Sequence, residues 1–300
     1  MVIVKENTFL EDESSVRFFF NTRNYIESKK PDQFYLFQKE NSFCYLFKKE
    51  DTLYSPLQAT FGGIEYDSLK NLDAILTKIT SFRVENNINE IFIGMPPSYL
   101  SLFPEEEQAL VLKHTFKQEV IDKNYHINIE ERGFEDNLHH SEKRRLKKCL
   151  DNGFVFSEWT NPDLNKVYDF IKKCRERKSF PMTMSEGDFK AMFSLFSSHY
   201  KVFVVKKDVN IAALGVTTSL SKDVFYHFYP ADNEKYSSYS PSVLLHKGLY
   251  DYCKSNNYKT LDLGIASDKG IDNEGLIRFK ENLGAIESTK ITWKWEANNE

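Results

Sequence analysis

Residues 223–264 read DVFYHFYPADNEKYSSYSPSVLLHKGLYDYCKSNNYKTLDLG. An aromatic-rich strand over Val224 to Tyr229 runs into a polar, Ser- and Tyr-rich segment, then a helix, then the short strand Leu261 to Gly264. Ser240 at the N-cap and Pro241 at the first helical position mark the helix start. Leu245, Leu249, Tyr252 and Cys253 recur at helical spacing, and Ser255-Asn256-Asn257 stops the helix. A strand that feeds a helix N-terminus through exposed backbone makes a site for an anion such as a pyrophosphate. The first-turn N–H groups lack partners there, and the helix dipole adds partial positive charge. An ordinary capped helix in a βαβ unit has the same pattern.

The same order of elements occurs earlier in the chain. At an offset of about 170 residues, Ile75, Ile79, Phe82, Asn86, Asn87, Ile91, Ile93 and Gly94 fall on Leu245, Leu249, Tyr252, Asn256, Asn257, Leu261, Leu263 and Gly264. The shared Asn-Asn pair and terminal Gly go beyond apolar periodicity, so the register reads as a degenerate internal duplication, with two similar lobes and a cleft between them.

Around these anchors, strands are expected over Phe34–Gln38, Phe43–Lys48 and Thr52–Thr60, separated by polar turns. A helix through Leu72–Arg83 capped by Asp67 or Ser68, a strand at Ile91–Gly94, a helix near Glu105–His114 and an edge strand ending near Glu130 complete the first half. Residues 1 to 30 give no clear period. The basic run Lys143, Arg144, Arg145, Lys147 and Lys148 lies on a helix closed by Gly153, and reads either as a solvated bridge or as a contact surface for a phosphate-bearing acceptor. The second half then reads β-α-α-β-β-β-α-β-α-β. The fold class is α/β with mixed sheets. The expected domains are an N-terminal lobe at 1–133, a basic linker helix at 134–153 and a C-terminal lobe at 154–300.

Three hundred residues, 41% of them hydrophobic, can bury a sizeable core. A net charge of -4 gives no global attraction to DNA or to an anionic membrane. No apolar run suits a signal peptide or a membrane span. The four cysteines lack metal-ligand spacing and read as reduced thiols of a cytoplasmic protein, so no metal site is expected.

The segment YSSYSPSVLL (Tyr236 to Leu245), the LDLG strand and RFKENLG (Arg278 to Gly284) resemble the GNAT acyltransferase fold in its FemAB-like tandem form. The basic helix in SEKRRLKKCLDNGFVF and the stretch SPLQATFGG at Ser55 to Gly63 fit the same branch. The resemblance implies an acyl-CoA donor, such as acetyl-CoA, held by the C-terminal lobe through Phe228, Tyr229, Tyr236, Ser238, Ser240, Ser242 and Arg278. It implies an amine acceptor between the lobes, either a small molecule or a cell-wall precursor.

Aminoacyl-tRNA is the alternative donor, and a non-catalytic ligand- or partner-binding protein is a third reading, because the glycine-rich phosphate loop of GNAT proteins is replaced by Tyr236–Ser240. Lys280 stands where the family uses a cation near phosphate, so it reads as the charge that offsets the transition state. His227 reads as a base for the amine proton, and Asp262 as a base or amine anchor. Tyr229 or Tyr236 would replace the tyrosine that protonates the leaving thiolate in many GNAT enzymes.

Overall fold

A computed structural model of the chain describes residues 1–296. It divides into two compact units. One comprises Met1–Asn124, Ile265–Asp272 and the described residues from Ser288 on; the other comprises Tyr125–Gly264 and Asn273–Glu287. This division differs from the boundaries expected at 133 and 153. The basic helix belongs to the second unit, and the C-terminal strand Ile286–Glu296 hydrogen-bonds to Glu90–Gly94 of the first, pairing Thr292 with Gly94 and Trp295 with Ile91. Such non-local pairing leaves no trace in local composition.

The first unit orders its strands as Ile3–Glu6, Phe34–Lys39, Ser42–Lys49, Thr52–Ser55, Glu90–Gly94, the C-terminal strand and residues 117–124; strand Lys117–Asn128, expected at an edge, is an interior strand of the sheet. The strand expected to reach Thr60 stops at Ser55, because Pro56 has no N–H to give to the ladder. Helix Leu69–Glu85 is capped by the Ser68 hydroxyl, which accepts the Asn71 N–H. Its buried stripe of Leu72, Ile75, Leu76 and Ile79 packs with Leu53, Ile91 and Ile93.

The second unit orders its strands as residues 125–128, Thr260–Ile265, Val224–Asp232, Asn210–Ser219, Tyr200–Lys207 and Phe154–Glu158. Helices His140–Asp151 and Pro241–Ser255 lie on one face, where the Tyr252 ring meets Phe203 and Phe225. Helices Leu164–Arg177 and Glu186–Leu195 lie on the other, where Arg175 sits over the Tyr229 ring. Helix Glu274–Asn282 follows the short hairpin of Ser267–Asp268 and Ile271–Asp272.

The duplication extends to individual hydrogen bonds. Asn86 and Asn256 cap their helices and turn Nδ2 onto the carbonyls of Phe82 and Tyr252, each at 2.8 Å. Asn87 and Asn257 follow in the left-handed region, at φ 54° and 61°. The next strand then pairs in parallel in the same register, Leu53 with Ile91 and Phe225 with Leu261. Asparagine tolerates positive φ better than most residues, which is why the pair marks both turns.

Candidate active site

Parallel pairing of Val224–Asp232 with Thr260–Ile265 covers only Val224 to Tyr226, opposite Thr260 to Asp262. Beyond Tyr226 and Asp262 the two strands part. A β-bulge accompanies the split: Val216 faces Tyr229 and Thr217 faces His227, leaving Phe228 as the extra residue. A bulge unpairs backbone groups and re-aims side chains. The Phe228 ring is half-buried and lies 6.0 Å from Tyr226 and 4.3 Å from Tyr229.

Gly264 is the hub of this opening. Its N–H donates to Asp262 Oδ1 at 2.6 Å, and its carbonyl accepts from Lys280 Nζ at 2.8 Å. Its φ of +73° suits glycine, and a Cβ there would lie 3.3 Å from the Tyr226 ring and hydroxyl. Lys280 is 5% exposed and stands 5.7 Å from the centre of the Tyr125 ring, whose hydroxyl donates to Glu287 at 2.7 Å. Burial pulls the Lys280 ammonium down to about 7, against the opposing pull of the Asp262 carboxylate. Lys280 is therefore no solvated helix lysine. Arg278, on the same helix, is exposed and makes no side-chain hydrogen bond or ion pair among the described residues.

His227 packs against helix Pro241–Ser255. Its Nδ1 meets His246 Nε2 at 3.3 Å, and His246 Nδ1 lies 2.7 Å from the Ser242 carbonyl. A carbonyl only accepts, so His246 carries its proton on Nδ1 and His227 donates from Nδ1 to His246 Nε2. That leaves His227 Nε2 as a lone pair with no partner among the described residues, facing Gly215, where a Cβ would lie 2.6 Å away. Burial holds His227 well below its ordinary range, helped by the charges of His246 and Lys280, and takes His246 down to about 4. The expected proton acceptor is thus a neutral ring enclosed against the sheet.

The expected phosphate loop is a 3-10 helix, Glu234–Tyr239. Tyr236 is buried edge-on against Phe154, and the exposed Ser238 gives its carbonyl to Lys148 Nζ at 2.8 Å. Ser240 holds the N-cap position, but in left-handed backbone with φ 52°, and its side chain takes no N–H of the helix; Pro241 occupies the first turn as expected. The Tyr229 hydroxyl is bonded to Thr183, and burial raises its pKa. Lys280 and Asp262 thus meet at Gly264, Phe228 lies beside Tyr226, and the Lys280 charge reaches the His227–His246 pair; Tyr236 and Arg278 are turned elsewhere. Sequence reasoning missed Tyr125, Tyr226, Gly264 as the hub and His246. Gly264 alone carried a signal, as the last residue of LDLG.

In the first unit the corresponding opening is filled. Gly62 N–H donates to the Gly94 carbonyl at 3.2 Å, and Gly63 N–H to Ser55 Oγ at 3.1 Å. A Cβ on Gly62 would stand 2.7 Å from Ser55 Oγ and 3.0 Å from Pro56. The paired glycines let the backbone lie across the strand ends.

Residues 139–281 match the family model of the acetyltransferase (GNAT) domain. FemX is similar over 98% of both chains, with 14% identity and a TM-score of 0.74. A tandem GNAT protein from the clavulanic acid biosynthesis pathway is similar over 89% of this chain and 83% of its own, at 10% identity and a TM-score of 0.54. The chain has a FemAB-like tandem GNAT fold. L-PGS from Bacillus licheniformis shares this architecture over 89% of the chain and 85% of its own length, at 11% identity and a TM-score of 0.60. By sequence, no curated protein matches. The GNAT match spans the opening at Gly264, the bulge and Lys280, all in the second unit. No helix among the described residues is long and apolar enough to cross a membrane, and no cluster of three or more metal-ligating side chains occurs among them.

Proposed function

We propose that the chain is an N-acyltransferase that takes its acyl group from acyl-CoA, acetyl-CoA foremost, and passes it to an amine. The observation that carries this reading is the opening beyond Tyr226 and Asp262, with a bulge on one strand and a buried lysine at the other. The acyl thioester lies along the opening. Backbone N–H groups at the bulge, near Phe228, stabilise the oxyanion when the amine attacks the thioester carbon. Lys280 supplies positive charge on the donor side, since an approaching anion favours its protonated form. Asp262 fixes Gly264 and is a positioning residue. The acceptor is a small-molecule or cell-wall-precursor amine, and the buried, free cysteines suit a reducing cytoplasm.

Release of free thiol from acetyl-CoA in the presence of a panel of amines tests the reaction. Amine-dependent release that falls at least tenfold in Lys280→Met supports it. Release independent of amine, or unchanged in the variant, contradicts it.

A second reading has aminoacyl-tRNA as donor and a peptidoglycan precursor as acceptor. It is favoured by the exposed basic face of helix His140–Asp151, with Lys143, Arg144 and Lys147, and by the absence of glycine in the segment Glu234–Tyr239. Charge reversal at Arg144 and Lys147 then abolishes transfer from aminoacyl-tRNA. Under the acyl-CoA reading the same variant keeps thiol release.

A further inference from the structure

Strand alternation sorts the aromatic residues of Val224–Asp232 onto two faces. Phe225 and His227 lie under helix Pro241–Ser255, where they meet Tyr252 and His246. Tyr226, Phe228 and Tyr229 lie on the opposite face, that of helices Leu164–Arg177 and Glu186–Leu195, because the bulge turns two successive rings the same way. On that face the Tyr200 ring stands 6.4 Å from Phe228 and 5.9 Å from Phe193. Asp262 is opposite Tyr226 in the parallel ladder and so belongs to the same face. Tyr200 and Tyr229 are buried, whereas Tyr226 and Phe228 are only half-buried. Two aromatic rings therefore reach solvent beside a carboxylate, at the point where the strands part.

The connection between the two helices, residues 178–185, borders this wall. Thr183 is hydrogen-bonded to the Tyr229 hydroxyl, and Phe180 is 40% exposed. The cations here are committed. Arg175 lies over the rings of Phe180 and Tyr229 and donates from Nε to the Pro181 carbonyl at 2.8 Å. Arg177, at 2.7 Å, and Lys178 both pair with Asp232. A carboxylate or phosphate would have to break one of these pairs.

This combination selects a ligand chemistry. An ammonium suits both the aromatic faces and the Asp262 charge. The body that carries it suits a flat apolar wall, on which a ring gains contact beyond simple burial. We infer that the acceptor is a primary amine on an uncharged aromatic body, with its ring against Phe228 and its nitrogen beside Tyr226, drawn towards Asp262. The inference rests on the acyl-transfer reading and names the acceptor of that reaction. Having given one proton to solvent, the amine bonds to the thioester carbon, the C–S bond breaks, and a second amine proton ends on the departing thiol.

Saturation-transfer NMR on the full chain, with and without free CoA, tests the binding, and thiol release from acetyl-CoA tests the transfer. The probes are phenethylamine, tyramine, butylamine, which lacks the ring, and phenylalanine, which adds a carboxylate. The expected result is saturable binding of at least one aromatic amine, ring protons most strongly labelled, with affinity at least tenfold above that for butylamine or phenylalanine. Phe228→Leu keeps an apolar side chain and removes the ring. The preference for the aromatic amine over butylamine then falls at least fivefold, a ratio that a general loss of stability does not move. Thermal unfolding shows whether the fold is kept, and Phe180→Ala, at an exposed position, gives a smaller fall in the same ratio. No binding of either aromatic amine at ~10 mM, above a millimolar Kd, overturns the inference. So does equal binding of butylamine or phenylalanine, or a ratio unchanged in both variants. Aromatic-amine binding without amine-dependent thiol release supports the site and defeats the acyl-transfer reading instead.

Discussion

Lys280 Nζ donates to the carbonyl of Gly264 at 2.8 Å, and the N–H of the same glycine donates to Asp262. One backbone unit therefore ties the buried cation to the carboxylate that supports its charge. Lys280→Met keeps the volume and removes the charge. The expected outcome is loss of acyl-donor binding with equal or greater thermal stability at pH 7, because a buried ammonium is costly to desolvate. Parallel calorimetric binding and thermal unfolding measure both.

The same lysine gives a signed pH dependence. Its pKa falls from 10.5 in the unfolded chain to about 7 in the fold. Between those values the unfolded chain binds the extra proton, so the lysine contributes a stability that rises as pH goes from 7 towards 10.5. Denaturant unfolding across that window shows a steeper rise in wild type than in Lys280→Met. Equal slopes refute the assignment.

The histidine pair acts in a lower window. His246 is shifted down to about 4, and His227 is also depressed by burial, so below pH 6.5 the unfolded chain takes up protons that the fold refuses. Stability is lost as pH falls from 6.5 towards 4. His246→Gln flattens this part of the profile, whatever its effect on absolute stability. An unchanged slope removes the neutral-pair account.

Gly264→Ala places a side chain at φ +73° and 3.3 Å from Tyr226. The expected cost is about 1–3 kcal/mol of stability, with acyl transfer reduced more than the fold because Lys280 and Asp262 lose their common anchor. Gly62→Ala, which meets Ser55 Oγ at 2.7 Å in the first unit, costs roughly 1–3 kcal/mol and leaves donor affinity unchanged. Unfolding curves and donor titrations on the two variants separate the filled opening from the open one.

The repeated strand–helix–strand was legible because its signals are local: periodic leucines and isoleucines, then two asparagines that end the helix. Lys280 was legible only through the resemblance, since burial of a lysine has no sequence signature. Tyr125 lies more than 150 residues from Lys280 in the chain and meets it through tertiary packing. The Phe228 bulge depends on register with Val216 and Thr217, which neither strand reveals alone. His227 read as a base from its type alone, because the sequence does not show that His246 packs against its Nδ1. The C-terminal strand joined the first unit for a similar reason: edge pairing is decided by the partner.

The central claim is that the second unit's opening holds an acyl donor. Isothermal titration of acetyl-CoA into the wild-type chain and into Gly264→Ala tests it most directly. A single saturable site in wild type, weakened at least tenfold in the variant, is the predicted result. Equal binding by both, or no binding at millimolar acetyl-CoA, contradicts the account.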